Sequence, residues 1–170
     1  LASDLQEVQN VVDTAFGEMS YKMEEFAENS ITQFGISKLS AKQTGSTFMA
    51  MASGMGIAKD SASDMAIAMT GLSADMASFY NVKQDVASTA LKSVFTGETE
   101  TLKQFGIVMT EANLQAFAMS QGISKSVSEM SQAEKVQLRY NYVMQQTSLA
   151  QGDFAKTSGG WANQTRIMSE

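Results

Sequence analysis

The chain has 170 residues, of which 44% are hydrophobic and 18% are charged, a balance typical of a globular domain with its own core. Its net charge is −6 at pH 7 and its basic residues are scattered singly, so it lacks the basic footprint that direct nucleic-acid binding needs. Cysteine and histidine are absent, which excludes disulfides, thiolate chemistry and the commonest general base and metal ligand. We therefore expect a protein that is not an enzyme, with no cofactor, no metal site and no catalytic residue.

Residues 1–34 are predicted to form a long amphipathic helix. Apolar side chains recur there at spacings of three and four, at Leu5, Val8, Val12, Ala15, Met19, Met23 and Phe26. Gly17 falls near the middle, where we expect it to weaken the helix slightly. Because the first residue is Leu1 and not methionine, we expect a piece of a longer protein, with this helix continuing from an upstream region.

Four Gly-Ile pairs divide the chain after this helix, at Gly35-Ile36, Gly56-Ile57, Gly106-Ile107 and Gly122-Ile123. A glycine can take the left-handed conformation that ends a helix, and an apolar residue just after it packs back on the last turn. A favourable N-cap residue follows each pair, namely Ser40, Ser61, Thr110 and Ser131 in chain order. The pattern predicts a helix, a short corner and another helix, repeated along the chain.

The predicted fold is all-α, a compact array of about seven or eight helices. We predict that residues 35–158 form a helical core domain. Residues 159–170 are predicted to begin a helix that leads into a downstream region. One predicted helix, 62–80, carries a buried face made of Met65, Met69, Leu72, Met76 and Phe79. Asn81 is expected to cap the helix that follows. No segment shows the alternation typical of a strand.

Two pairs of carboxylates deserve a chemical interpretation. Asp60 and Asp64 lie one helical turn apart and could bind a cation, although acids at a favourable helix start are the interpretation we prefer. Glu98 and Glu100 flank a single residue and could form the acid pair of a glycosidase. Acids in the first turn of a helix again explain them more simply.

The 13 methionines have two interpretations. Their flexible thioether chains could form an adaptable binding surface, or they could fill a helical core. We favour the core, because Met65, Met69 and Met76 share one helical stripe. A separate observation is that residues 43–58 carry no charge. This stretch is shorter than a membrane-spanning helix needs, but it leaves open a membrane-active segment.

Several blocks of the sequence resemble the helical core region of phage tail-length tape measure proteins. The blocks are 65–72 (MAIAMTGL), 74–81 (ADMASFYN), 90–93 (ALKS), 96–107 (TGETETLKQFGI), 134–140 (EKVQLRY), 151–158 (QGDFAKTS) and 161–164 (WANQ). Their order and spacing cover most of the chain after residue 35. The match is therefore more specific than a shared helical composition.

The resemblance implies a structural, minor tail protein of a phage or prophage particle. Members of this family are long helical chains that occupy the tail tube during assembly and set its length. This implies synthesis in the bacterial host cytoplasm and a place inside the tail tube of the virion. The implied partners are the tail tube protein, tail assembly chaperones and tail tip proteins, with self-association through helices and contact with a membrane left open.

Within these blocks we select one candidate contact motif, made of Asp153, Phe154, Thr157 and Trp161. Two other functions are weighed against the structural one. A membrane-active segment centred on residues 43–58 could aid DNA delivery. A cell-wall lytic enzyme is the less favoured alternative, because no two acids are paired at a reliable spacing.

Overall fold

The computed structural model describes residues 2–157, and within this range the chain is all-helical, as predicted. The helices are α1 (Ala2–Phe16), α2 (Ser20–Phe34), α3 (Lys38–Gly54), α4 (Lys59–Tyr80), α5 (Gln84–Leu91), α6 (Ser93–Thr96), α7 (Glu100–Lys103), α8 (Glu111–Ser120), α9 (Gln132–Gln146) and α10 (Asp153–Thr157). Short 3-10 turns cover Gly17–Met19 and Val127–Glu129. The described part contains eight helices when α1 is counted with α2 and α5 with α6, which agrees with the predicted seven or eight.

The long helical segment predicted at the N terminus is confirmed, but it is bent at Gly17. Gly17 has a φ of 54°, in the left-handed region. Lys42 Nζ of α3 lies 2.8 Å from Gln9 Oε1 of α1 and 3.1 Å from Glu24 Oε2 of α2. In a straight helix these two residues would be about 22 Å apart along the axis. The segment is therefore bent at Gly17, and α3 packs against both arms.

The four Gly-Ile pairs end helices as predicted, and each glycine has a positive φ. Three of the four isoleucine N–H groups donate to the carbonyl five residues earlier, and that of Ile36 donates to Ser30 O. Thr110 and Ser131 are N-caps as expected, each accepting a backbone N–H at 3.1 Å. The other two predicted N-caps, Ser40 and Ser61, are wrong. The corners there are tighter, so the following helices already begin at Lys38 and Lys59.

Helix α4 lies at the centre of the core. The buried face predicted for it is confirmed for its first four members, Met65, Met69, Leu72 and Met76, each at most 3% exposed. Phe79 was wrongly predicted to be buried, since its side chain is 43% exposed. Burial of α4 ends at Ala77, so the stripe continues past the point where neighbouring helices cover it. Asn81, with a φ of 55°, ends α4 and does not cap α5.

One hydrophobic cluster joins the N-terminal arms to the rest of the described chain. It contains Val8, Val12 and Phe16 of α1, Met23 of α2 and the buried face of α4. Its methionines, including Met49, Met65, Met69 and Met76, are almost fully buried, which confirms the core interpretation for them. The boundaries predicted at residues 34 and 158 stay a prediction, and residues 159–170 lie outside the described range.

Candidate contact site

Three residues of the candidate contact motif come together where α10 packs against α4. Asp153 Oδ2 accepts a hydrogen bond from Ser78 Oγ at 2.7 Å. Thr157 Oγ1 lies 3.3 Å from the same Ser78 Oγ. Trp161, the fourth member, lies outside the described residues. Within the described chain, the motif thus makes contacts inside its own molecule, with Ser78 as the shared partner on α4.

Phe154 anchors this contact in the core. Its side chain is 1% exposed, and its ring lies directly over Gly35 at the end of α2. A side-chain carbon at Gly35 would collide with this ring, and the φ of 72° at Gly35 also favours glycine. Gly35 therefore serves two purposes: it ends α2, and it leaves the space that Phe154 fills.

Asp75 is the residue of the site that the sequence reasoning missed. Its side chain is buried, its Oδ2 accepts the N–H of Gly152 at 2.8 Å, and its Oδ1 accepts the N–H of Phe154 at 3.2 Å. The first N–H groups of a helix have no carbonyl partner within it, so the carboxylate of α4 caps α10 from outside. A signal was present in the sequence, because no other charged residue lies between Asp64 and Lys83.

The environment of Asp75 has opposing effects on its pKa. Burial raises the pKa above its ordinary value of 3.8, because removal from water disfavours the ionised carboxylate. The two backbone N–H groups, and more weakly Lys156, act in the opposite direction, whereas the nearby Asp153 adds to the rise. Desolvation dominates, so α10 is held by a carboxylate that is costly to keep charged.

An open groove runs between α2 and α4 and ends at Asp75. Its first part, a cleft of about 330 Å³, is mainly apolar and lined by Phe26, Phe34, Ile67, Leu72 and Met144, with Asp75 and Gln151 at the α10 end. A second cleft of about 340 Å³ is lined by Lys22, Glu25, Asn29 and Asp64. Phe26, Gln33 and Ile67 line both clefts, so the two form one continuous groove with an apolar and a polar half.

Glu98, one of the two acids considered for catalysis, caps a helix. Its carboxylate accepts the backbone N–H of Glu100 and both the N–H and the hydroxyl of Thr101, at the start of α7. The Thr101 hydroxyl and then the Glu100 N–H lower the pKa of Glu98. A general acid for glycoside cleavage needs a raised pKa, so this arrangement argues against that role.

Asp60 and Asp64, the other acidic pair, share one lysine of α2. Lys22 Nζ lies 2.6 Å from Asp60 Oδ1 and 2.9 Å from Asp64 Oδ1, and these hydrogen bonds raise the pKa of Lys22. Among residues 2–157, no group of three or more side chains is arranged to hold a metal ion. The pair joins α2 to the first two turns of α4.

The uncharged stretch 43–58 lies mostly in α3 and contributes to the core. Phe48, Met49 and Ala52 are each at most 1% exposed, and the Gly45 backbone lies against Met23 of α2. Within the part of the chain that the structure describes, no helix is both long and apolar enough to cross a membrane.

Comparison with protein-family models, with curated proteins and with solved structures found no match for this chain.

Proposed function

We propose that this chain is a structural segment of a phage tail tape measure protein, acting through protein–protein contacts and not through catalysis. One observation carries the proposal beyond composition. The blocks 74–81 and 151–158, both among those that resemble the family, contact each other across the fold. Asp75 and Ser78 of the first block hold Gly152, Asp153 and Phe154 of the second. The resemblance therefore falls on residues that depend on one another, as expected of a family's folding core.

The acids that could have served a lytic enzyme have structural partners: Glu98 caps α7, and Asp60 and Asp64 bind Lys22. The membrane-active alternative has less support, because residues 43–58 would have to leave the core and expose Phe48, Met49 and Ala52. A cell-wall clearing assay and a liposome leakage assay, both expected to be negative, test these alternatives.

Mass spectrometry of purified tailed particles tests the proposal directly. We expect peptides of this chain in particles from a host that carries its gene, and we expect protease to remove them only after the tails are opened. The coat protein, which is accessible on the particle surface, serves as the control for protease activity. Particles that form normally and lack the chain would exclude a role in the tail.

Tail length provides the second measurement. An in-frame deletion in the long helical region of the parent protein, outside this segment, should shorten tails in proportion to the residues removed, as seen by electron microscopy. Unchanged tail length in such particles would contradict the tape measure function, even if the chain were present in the tail.

A further inference from the structure

The apolar half of the groove between α2 and α4 is open and lined by large side chains. Phe26 and Phe34 stack at 5.3 Å between ring centroids, yet both side chains are only partly buried. Ile67, Met144 and Ala68 on the facing elements are also partly buried. Large apolar side chains that line an open cleft are typical of a surface that binds another helix.

The polar half of the groove presents acids to solvent. Lys22 is 20% exposed, whereas the side chains of its partners Asp60 and Asp64 are 70% and 66% exposed. Of these two carboxylates only Asp64 lines the cleft, and Glu25 adds a second acid there against the single Lys22. This end of the groove therefore keeps a negative charge that its own lysine does not neutralise.

The N-terminal segment that supplies one wall of the groove is acidic as a whole. Residues 1–34, which include the α2 wall of the groove, contain seven acidic residues and one lysine, a charge of −6 that equals the charge of all 170 residues. The remainder of the chain is neutral by the same count. Four of these acids lie in α1 and the turn after it, and Glu24 and Glu28 pair with Lys42 and Lys38 of α3. The charge on the groove itself is that of Glu25 and Asp64 against Lys22, which favours a basic partner.

The length of the groove indicates the form of the partner. From Lys22 to Phe34, α2 extends about 18 Å, which is the length of roughly 12 helical residues. We infer that the groove binds an amphipathic helix from another protein, with apolar side chains between Phe26, Phe34 and Met144 and with Lys or Arg side chains beside Glu25 and Asp64. An anionic membrane surface does not fit, because carboxylates line the polar half.

This inference deepens the proposed function and rests on it only for the claim that the chain acts through protein contacts. Its test uses the purified chain and no phage particles. The groove inference can therefore fail while the tail location holds, and the tail location can fail while the groove inference holds. The probe is a fluorescein-labelled synthetic peptide of about 15 residues, made of Leu, Ala and Lys, with leucines at spacings of three and four and lysines at one end. A second peptide carries glutamate in place of each lysine.

Fluorescence anisotropy should show saturable one-to-one binding of the basic peptide to the full chain, weakened by added salt. The acidic peptide should bind at least tenfold more weakly. Ala68→Phe, which fills the groove from α4, should weaken binding at least tenfold, whereas Ala116→Phe on the exposed face of α8 should not. Gln33→Trp blocks the groove from an exposed position, so it gives the same test without any change to the core.

Three outcomes would overturn the inference. The first is no saturable binding of the basic peptide, or equal binding by both peptides. The second is unchanged binding by Ala68→Phe and Gln33→Trp. The third concerns another occupant: Trp161 is the only tryptophan of the natural chain. If its emission changes with the same midpoint as peptide binding, the groove belongs to the chain's own C-terminal segment and not to a separate partner.

Discussion

Two short helices of this protein begin at a carboxylate that lies outside them, and the two carboxylates behave in opposite ways. Glu98 lies two residues before α7, is exposed, and has a lowered pKa because the Thr101 hydroxyl and the Glu100 N–H stabilise its charge. Asp75 lies 77 residues before Gly152, is buried, and has a raised pKa because desolvation outweighs its hydrogen bonds. The same capping interaction is thus favourable at the surface and costly in the core.

The difference shows what each carboxylate contributes. Glu98 organises a local turn, and its hydrogen bonds need no tertiary structure beyond its neighbours. Asp75 selects where a distant part of the chain packs, because only a buried N–H pair at the start of α10 satisfies it. Five predictions break or sharpen this comparison, and they are described below from the largest expected effect to the smallest.

Phe154→Ala should cause the largest loss. It removes a fully buried ring from the contact with Gly35, and such substitutions cost about 3–5 kcal/mol of unfolding free energy. Urea unfolding followed by circular dichroism measures the loss. Phe79→Ala, which removes a ring that is 43% exposed, is the matched control and should cost much less. Equal losses would mean that α10 is not anchored through Phe154.

Asp75→Ala should cost about 1–3 kcal/mol, because it leaves two buried N–H groups without an acceptor. Asp75→Asn keeps one acceptor oxygen and removes the desolvation of a charge, so its loss should be smaller. Hydrogen exchange of the Gly152 and Phe154 amides, measured by NMR, should speed up in the alanine variant. Protection equal to that of the wild-type protein would show that another group holds the start of α10.

Glu98→Ala should reduce stability less than Asp75→Ala does, because the carboxylate is exposed and water replaces its bonds. The effect should be local, with faster amide exchange at Glu100 and Thr101 and no change at α10. Glu100→Ala, in the same turn, is the control for loss of charge alone. Faster exchange at Phe154 in the Glu98 variant would couple two regions that we regard as independent.

The contributions of Asp75 and Glu98 to stability should change with pH in opposite directions. Because the pKa of Asp75 is raised on folding, the folded state still holds a proton that the unfolded state has lost. The contribution of Asp75 to the free energy of unfolding therefore falls as pH rises from about 3.8. Glu98 has a lowered pKa, so its contribution is present above about 4.5 and is lost as pH falls. Relative to wild type, Asp75→Asn should therefore gain stability with rising pH, and Glu98→Gln should lose it.

Glu134 extends the last comparison to a third cap. The backbone N–H of Ser131 and the Lys125 side chain lower its pKa to about 2, so it should follow Glu98 and not Asp75. Its contribution should be full above about 4.5 and should disappear as pH falls toward 2. Unfolding free energies of Glu134→Gln between pH 2 and pH 6 measure this, and a slope like that of Asp75→Asn would contradict the assignment.

The local features of this fold were predictable from sequence, because the residues that determine them are neighbours. Each Gly-Ile corner and the caps at Thr110 and Ser131 depend on atoms within a few residues of one another. Phe79 and Asn81 were misassigned because helical periodicity does not reveal where neighbouring helices stop covering α4. Asp75 and its role in the contact site were missed for the same reason, since its partner N–H groups lie more than 70 residues later.

The bend at Gly17 was also missed, because a glycine within an amphipathic pattern is compatible with both a straight and a folded helix. Each arm has 15 residues, and each measures about 22 Å. Unbent, the same residues would reach about 50 Å with the apolar stripe uninterrupted. The axial reach of the N-terminal segment is therefore not proportional to its residue count. The bend at one glycine, held by the contacts of Lys42 with both arms, shortens it.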